Sequence, residues 1–311
     1  MSNVVRSFVD ALALALPTAP TPTNAPRDDT SRGLEEFRVA LSAVNCAESS
    51  GDHAKGVPVE AQTWLQTALD AVEGPPALVT AVRDATTAAS WYQIYDSGPR
   101  DAHPASEAFK TLAGGMFAAQ MIGSRGLVRS DALLAGLFLL APGVHYPLHQ
   151  HPATEIYFSV SGDIQIQHGL AGEARTLRPG EVSLTPSDRL HALTVGASPV
   201  LLLYCWLGET ATRQWWWRQD SEGHWHRDAY ERTARASWER TASEAVPEDI
   251  LARLVEGCFG GAHSLGVLKR HRVFAVDDVA RTGVLEPDQP HRRGVAPSST
   301  REQFFVAHAV I

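Results

Sequence analysis

The stretch from Gly143 to Gly162 constrains this chain more than any other. It reads Gly-Val-His-Tyr-Pro-Leu-His-Gln-His-Pro-Ala-Thr-Glu-Ile-Tyr-Phe-Ser-Val-Ser-Gly. Side chains of a strand alternate between its two faces. His149, His151, Glu155 and Tyr157 share one parity; Ile156, Phe158 and Val160 take the other. The pattern predicts a strand with imidazole, carboxylate and phenol on one side and an apolar backing on the other. A second stretch runs from Gly180 through Pro186 to His191. A strand, a Pro-centred turn and a returning strand would set His191 beside the first group. Three His and one Glu are a donor set for a divalent transition metal, with positions left open for substrate. Zn, Fe, Mn, Co and Ni all accept such N and O ligands, so the donor set does not choose among them.

The rest of the chain is arranged around these stretches. Residues 111–217 carry β-prone runs at 116–122, 133–140, 155–160, 163–168, 173–177, 181–184, 192–195 and 200–206, separated by Gly and Pro turns. Short, closely spaced strands predict a mainly β unit, an antiparallel barrel or jelly roll. Such a barrel can hold a ligand inside. The run 200–206 is nearly all apolar and is expected to be covered on both faces. Residues 34–110 show helical rhythm: first Phe37, Val39, Ala40, Leu41 and Val44, then Trp64, Leu65, Leu69 and Val72, with a stop at Gly74-Pro75-Pro76 and a third helix at 78–89. This helical region is expected to cover the barrel. Residues 1–33 read as a flexible N-terminal segment. Its apolar run at 11–16 fits a short amphipathic helix, or alternatively a signal peptide, and 17–33 reads as a Pro/Thr-rich linker. Residues 218–311 form a C-terminal extension of unknown role. There 228–244 reads as a charged helix and 247–256 as a short one, and no periodicity follows Cys258.

The composition, 44% hydrophobic and 20% charged over 311 residues, is that of a globular protein. A formal charge of -8 argues against general nucleic-acid binding. No apolar run is long enough to cross a bilayer. Cys46, Cys205 and Cys258 form neither a disulfide framework nor a zinc pattern, which fits a cytoplasmic protein. The run Trp215-Trp-Trp217 reads as an interface or helix-packing site, and with an apolar strand face it is compatible with a homodimer.

The two stretches resemble the motifs of the cupin superfamily. The first motif is a Gly, five residues, His-x-His, three residues, Glu, six residues and Gly. Gly143, His149, His151, Glu155 and Gly162 meet it. The second is a Gly, five residues, Pro, a spacer and His, met by Gly180, Pro186 and His191. Asp188 stands where a Gly is usual and Val195 where an Asn is usual, both outside the ligand set. The resemblance implies a cupin barrel with metal on His149, His151, Glu155 and His191.

The first motif, Tyr146-Pro-x-His149-x-His151-x-Ala153-x-Glu155-x-Tyr157, is similar to that of bacterial cupin-type dimethylsulfoniopropionate (DMSP) lyases, which also carry helices before the barrel. This likeness covers roughly residues 35–215 and leaves the last hundred residues without a counterpart. It implies cleavage of DMSP, a small sulfonium carboxylate, to dimethyl sulfide and acrylate. Tyr157 would remove the proton next to the carboxylate, Tyr146 would assist or orient substrate, and Trp206 would line the pocket facing the sulfonium.

The chemistry sets its own demands. A free Tyr, with a pKa of about 10, is a poor base at neutral pH, and a nearby cation lowers that value. Each residue also has a plainer role: Tyr157 as a partner of a ligand His, Tyr146 as a strand-edge aromatic, Trp206 as core. His145 and His168 read as structural or exposed. Trp91, Tyr92 and Tyr95 read as packing between helices and barrel, and His224 with His226 as a solvated pair. Two other functions share the ligand set: a cupin dioxygenase and a non-catalytic cupin that binds a small carboxylate. The tyrosine pair favours proton abstraction.

Overall fold

The computed structural model describes residues 2–17, 29–48, 56–95, 104–210, 213–233 and 237–259. Four helices come first: α1 (Ser2–Ala15), α2 (Asp29–Ser42), α3 (Val59–Asp70) and α4 (Pro76–Ala88). Pro75 and Pro76 begin α4, where the first turn needs no N–H donors. The helix buries Leu78, Ala81, Val82, Ala85 and Thr86, an amphipathic stripe. α1 does the same with Val5, Phe8, Val9 and Leu12, so a packed helix opens the stretch expected to be flexible. α2 already begins at Asp29, and the expected linker residues 18–28 lie outside the described residues.

A short strand β1 (Trp91–Gln93) and helix α5 (Pro104–Leu112) lead into β2 (Met116–Ile122) and β3 (Leu133–Leu140). β4 (His145–Gln150), β5 (Thr154–Ser161), β6 (Ile164–His168) and β7 (Arg175–Leu177) follow. Then come β8 (Val182–Thr185), β9 (His191–Val195), β10 (Val200–Leu207), β11 (Gln214–Gln219), β12 (Trp225–Arg232), β13 (Trp238–Ala245) and helix α6 (Glu248–Phe259). One sheet has the order β1-β2-β3-β10-β5-β8, the other β13-β12-β11-β4-β9-β6-β7.

The inner faces of the two sheets share a core. Phe138, Leu140, Tyr157 and Leu202 come from the first sheet, and Tyr146, Ile166, Leu193 and Val195 from the second. The outer face of the first sheet, with Leu137, Leu139, Ile156, Phe158, Val160 and Leu203, packs with Phe8, Phe37 and Val82 of the helices. Being covered on both faces, β3 and β10 read as continuous apolar runs rather than alternating ones. The result is a jelly-roll barrel of the cupin type with helices before it. Gly136 in β3 allows the tightest strand contact: a Cβ there would lie 2.0 Å from the Ala119 carbonyl oxygen. The β2–β3 register shifts beside it, between Gln120 and Ile122.

The C-terminal region departs from the expected helix at 228–244. β12 pairs with β11 from Gln219↔Trp225 to Gln214↔Tyr230, and β13 adds to its other edge. The charged residues suggested a solvated helix, but Asp228, Ala229, Tyr230 and Trp238 are buried, and pairing with β11 sets the conformation. The second sheet therefore continues past residue 217 to Ala245. α6 follows Pro247, where a short helix was expected. Residues from 260 onward, including Cys258's C-terminal neighbours in the extension, lie outside the described residues. Among the described residues no helix is long and apolar enough to cross a membrane.

Candidate metal centre

The single strand expected from His149 to Tyr157 is two strands, in opposed sheets. Pro152 follows His151 and has no N–H for a ladder, and the chain crosses from β4 to β5 there. The shared parity survives only because both strands turn the same set inward. His149 lies near the end of β4, His151 in the crossing, Glu155 and Tyr157 on β5. His191 opens β9 as the register partner of His149. The turn before it holds Asp188 at a φ of 57°, and its N–H donates to the His151 carbonyl at 2.9 Å. An Asp tolerates this left-handed conformation, which accounts for its presence where the motif usually has Gly.

The five residues His149, His151, Glu155, Tyr157 and His191 are between 0 and 3% exposed. The ligand nitrogens of the three histidines lie within 4.8 Å of one another. Each imidazole is held by a nearby carbonyl: His149 Nδ1 to Pro147 at 2.8 Å, His151 Nδ1 to Ala153 at 3.1 Å, His191 Nδ1 to Arg189 at 2.8 Å. With Nδ1 donating, each Nε2 presents a lone pair. Glu155 Oε2 is 3.2 Å from His191 Nε2 and 3.7 Å from His151 Nε2. These three atoms make no hydrogen bond to one another or to anything else, although they are buried. Buried polar atoms are ordinarily satisfied. Atoms aimed together and left unsatisfied are the donor set a cation needs, and three imidazoles with one carboxylate fit a divalent transition metal.

The electrostatics agree. Burial, followed by the neighbouring His191 and His151, holds the His149 imidazole well below its ordinary pKa, in the neutral form a metal requires. Burial opposes ionisation of Glu155, but positive charge on the His151 and His191 side outweighs it and holds the carboxyl well below the usual range; with both Nε2 atoms as lone pairs, a bound cation would be the source of that charge. Burial and then the Glu155 carboxylate push the Tyr157 phenol well up.

Trp206 sits opposite Glu155 across the β10–β5 pair. Its indole N–H donates to Glu155 Oε1, and its ring stacks on His151 at 4.2 Å between centroids. The residue expected to line the pocket thus also holds two members of the cluster. The Tyr146 ring stacks on His149 at 3.7 Å. His168, expected near an exposed turn, is half-buried instead. It pairs with His191 in register, its Nε2 lies 2.9 Å from Thr185 Oγ1, and burial lowers its pKa to about 4. It sits at the end of a strand whose alternate positions Ile164 and Ile166 point into the barrel. His145 is exposed, 2.9 Å from Thr194 Oγ1. His226 pairs with Asp220 at 2.9 Å in the β11–β12 turn, with His224 exposed beside it.

Two residues at the site escaped the sequence reading. Tyr95 packs against Phe109 and Trp238 as expected, but its hydroxyl reaches that of Tyr146. Gln214 Oε1 lies within hydrogen-bond distance of both hydroxyls, at 3.0 and 3.2 Å. Neither lies in a motif, and nothing local marks them. Of the Trp run, expected at an interface or at helix packing, Trp216 and Trp217 are buried, and Trp216 packs on helix α5. Trp216 stacks on Phe109 at 4.3 Å, and Trp217 donates to Gln150.

A family model described as DMSP lyase matches residues 35–202, more than half of the chain. The chain belongs to the DMSP lyase family. DMSP lyase DddQ of Ruegeria pomeroyi is 37% identical over 93 residues, 30% of this chain and 45% of that protein. The putative DMSP lyase DddL of Cereibacter sphaeroides is 34% identical over 101 residues, 32% of this chain and 41% of that protein. The matches therefore span less than half the length of either curated relative. The crystal structure of DddQ from Ruegeria pomeroyi aligns over 67% of this chain and 95% of its own, at 22% identity and a TM-score of 0.45. The family segment contains all four candidate ligands and both motif tyrosines. Trp206, Gln214 and the β11–β13 strands lie beyond it.

Proposed function

We propose that this DMSP lyase family member is a metal-dependent carbon–sulfur lyase that cleaves DMSP to dimethyl sulfide and acrylate. One observation carries the reading. Imidazole and carboxylate atoms without partners converge on one buried spot, beside two tyrosines, inside the family segment. The identity to DMSP lyase DddQ supports the substrate class. A divalent transition metal held by His149, His151, Glu155 and His191 would supply a Lewis acid for the substrate carboxylate and a charge that lowers the Tyr157 pKa.

The chain's own residues do the rest. Tyr157, on the same inner face as Glu155, takes the Cα proton onto its phenolate oxygen. The C–H electron pair becomes the second Cα–Cβ bond. The Cβ–S bond breaks with its pair on sulfur, so neutral dimethyl sulfide leaves and acrylate remains. Tyr146, held against His149, orients the substrate. Trp206 and Tyr146 offer ring faces to the sulfonium. The burial and the Glu155 charge that raise the Tyr157 pKa explain why this base requires a cation beside it.

Headspace gas chromatography of metal-loaded protein with DMSP, beside a His149→Ala control, tests the reading. Metal-dependent release of dimethyl sulfide supports it. No release with any of Zn, Fe, Mn, Co or Ni sinks it, and oxygen-consumption and carboxylate-binding assays would then separate the dioxygenase from the binding cupin.

A further inference from the structure

Next to the metal centre is a buried polar group that the reaction above does not use. Tyr95, just after β1, and Gln214, the first residue of β11, are 1 and 7% exposed. The Tyr95 hydroxyl donates to Gln214 Oε1 at 3.0 Å, the Tyr146 hydroxyl lies 3.2 Å from the same oxygen, and the two hydroxyls contact each other. The Tyr95 ring is fixed by Phe109, Trp216 and Trp238 at centroid distances of 5.2, 5.4 and 5.2 Å. A Phe at position 95 would pack equally well among these rings. Packing alone therefore does not explain a hydroxyl there, since an aromatic cluster is a costly place for a polar group without a task.

The hydrogens can be counted. An amide oxygen only accepts, so three oxygens share two protons. If Tyr95 donates to Gln214, Tyr146 donates to Tyr95 or to the same amide oxygen. If Tyr146 donates to Gln214, Tyr95 donates to Tyr146. In each arrangement the Tyr146 proton is turned toward this pair, and any group reaching Tyr146 from another side meets a lone pair.

We propose that Tyr95 and Gln214 are positioning residues that hold Tyr146 over His149 in one orientation, with its proton engaged and its oxygen offered to substrate as an acceptor. Gln214 comes from β11, beyond the family segment, so the strands added to the second sheet complete the site. What Tyr146 does for substrate rests on the lyase reading; how it is held does not.

The test uses Tyr95→Phe, which keeps the ring, and Gln214→Leu, which removes the shared acceptor. Each is expected to lower kcat roughly three- to ten-fold, the range for one neutral hydrogen bond, with KM within about two-fold. In a Tyr146→Phe background Tyr95→Phe is expected to change nothing further. A second readout needs no turnover. In full-length protein labelled at tyrosine Cζ with carbon-13, the Tyr146 signal is assigned by its loss in Tyr146→Phe. It is expected to move in both variants, while the Tyr157 signal stays. An unmoved Tyr146 signal, or effects of Tyr95→Phe and Tyr146→Phe that simply multiply, overturns the proposal. A wild-type protein without lyase activity whose Tyr146 signal still moves would sink the functional reading and keep the positioning one.

Discussion

Removing the indole N–H of Trp206 should weaken metal binding without emptying the site. The hydrogen bond joins a neutral donor to the carboxylate of Glu155, which is 0% exposed. Hydrogen bonds to charged groups contribute about 1.5–3 kcal/mol, and water cannot reach this carboxylate to replace the donor. Part of that loss falls on the metal-free protein too, where Glu155 is also ionised, and cancels from the affinity. If about half cancels, about 0.8–1.5 kcal/mol remains, or roughly 4- to 12-fold in Kd. Trp206→Phe is the variant of choice, because a phenyl ring can still stack on His151. The assay is competition for Zn²⁺ against a chromophoric chelator near neutral pH, with thermal unfolding of the metal-free protein alongside. A folded variant whose Kd stays within about three-fold of wild type would refute the argument that this bond holds Glu155 for a cation.

Three further outcomes are expected. Tyr157→Phe should retain metal, by the same competition assay, and lose at least about 100-fold in dimethyl sulfide release, the lower range for a general base; a fully active variant removes Tyr157 from the mechanism. His168 has a folded pKa of about 4 against an ordinary 6.5, so the unfolded chain takes up the proton first as pH falls. Stability is therefore lost between pH 6.5 and 4 and unaffected above. The His168 share of the loss is of order 2–3 kcal/mol after allowing for partial exposure, and His168→Gln should remove that share and leave the one from His149 in urea unfolding of metal-free protein. Gly136→Ala should cost about 3 kcal/mol or prevent soluble expression, because its Cβ meets backbone rather than a movable side chain; an unfolding midpoint equal to wild type would mean that β2 and β3 can separate freely.

Much of the barrel was legible because its strands obey simple rules. β2 and β3 fall on their apolar runs residue for residue, and the glycines at 143, 162 and 180 mark turns with positive φ. The candidate donor cluster was legible because His and Glu at fixed spacing carry chemistry that few other roles require. What failed were features decided by distant partners. Periodicity could place His149 and Glu155 on a common face but not on opposite sheets, since one proline redirects the chain between them. β12 and β13 carry enough charge to read as helix, and only the free edge of β11 makes them strands. Tyr95 and Gln214 meet across 119 residues of sequence, a contact no local pattern encodes.

The three histidines each bond a carbonyl two positions away in their own segment: Pro147, Ala153 and Arg189. The direction of each lone pair is thus written into a few consecutive residues rather than into the assembled barrel. Closing the barrel has only to bring together parts that are already aimed. A cavity built this way does not need an ion as a template for its own shape. Emptying the site with a chelator and refilling it with one divalent ion after another is therefore expected to proceed without refolding.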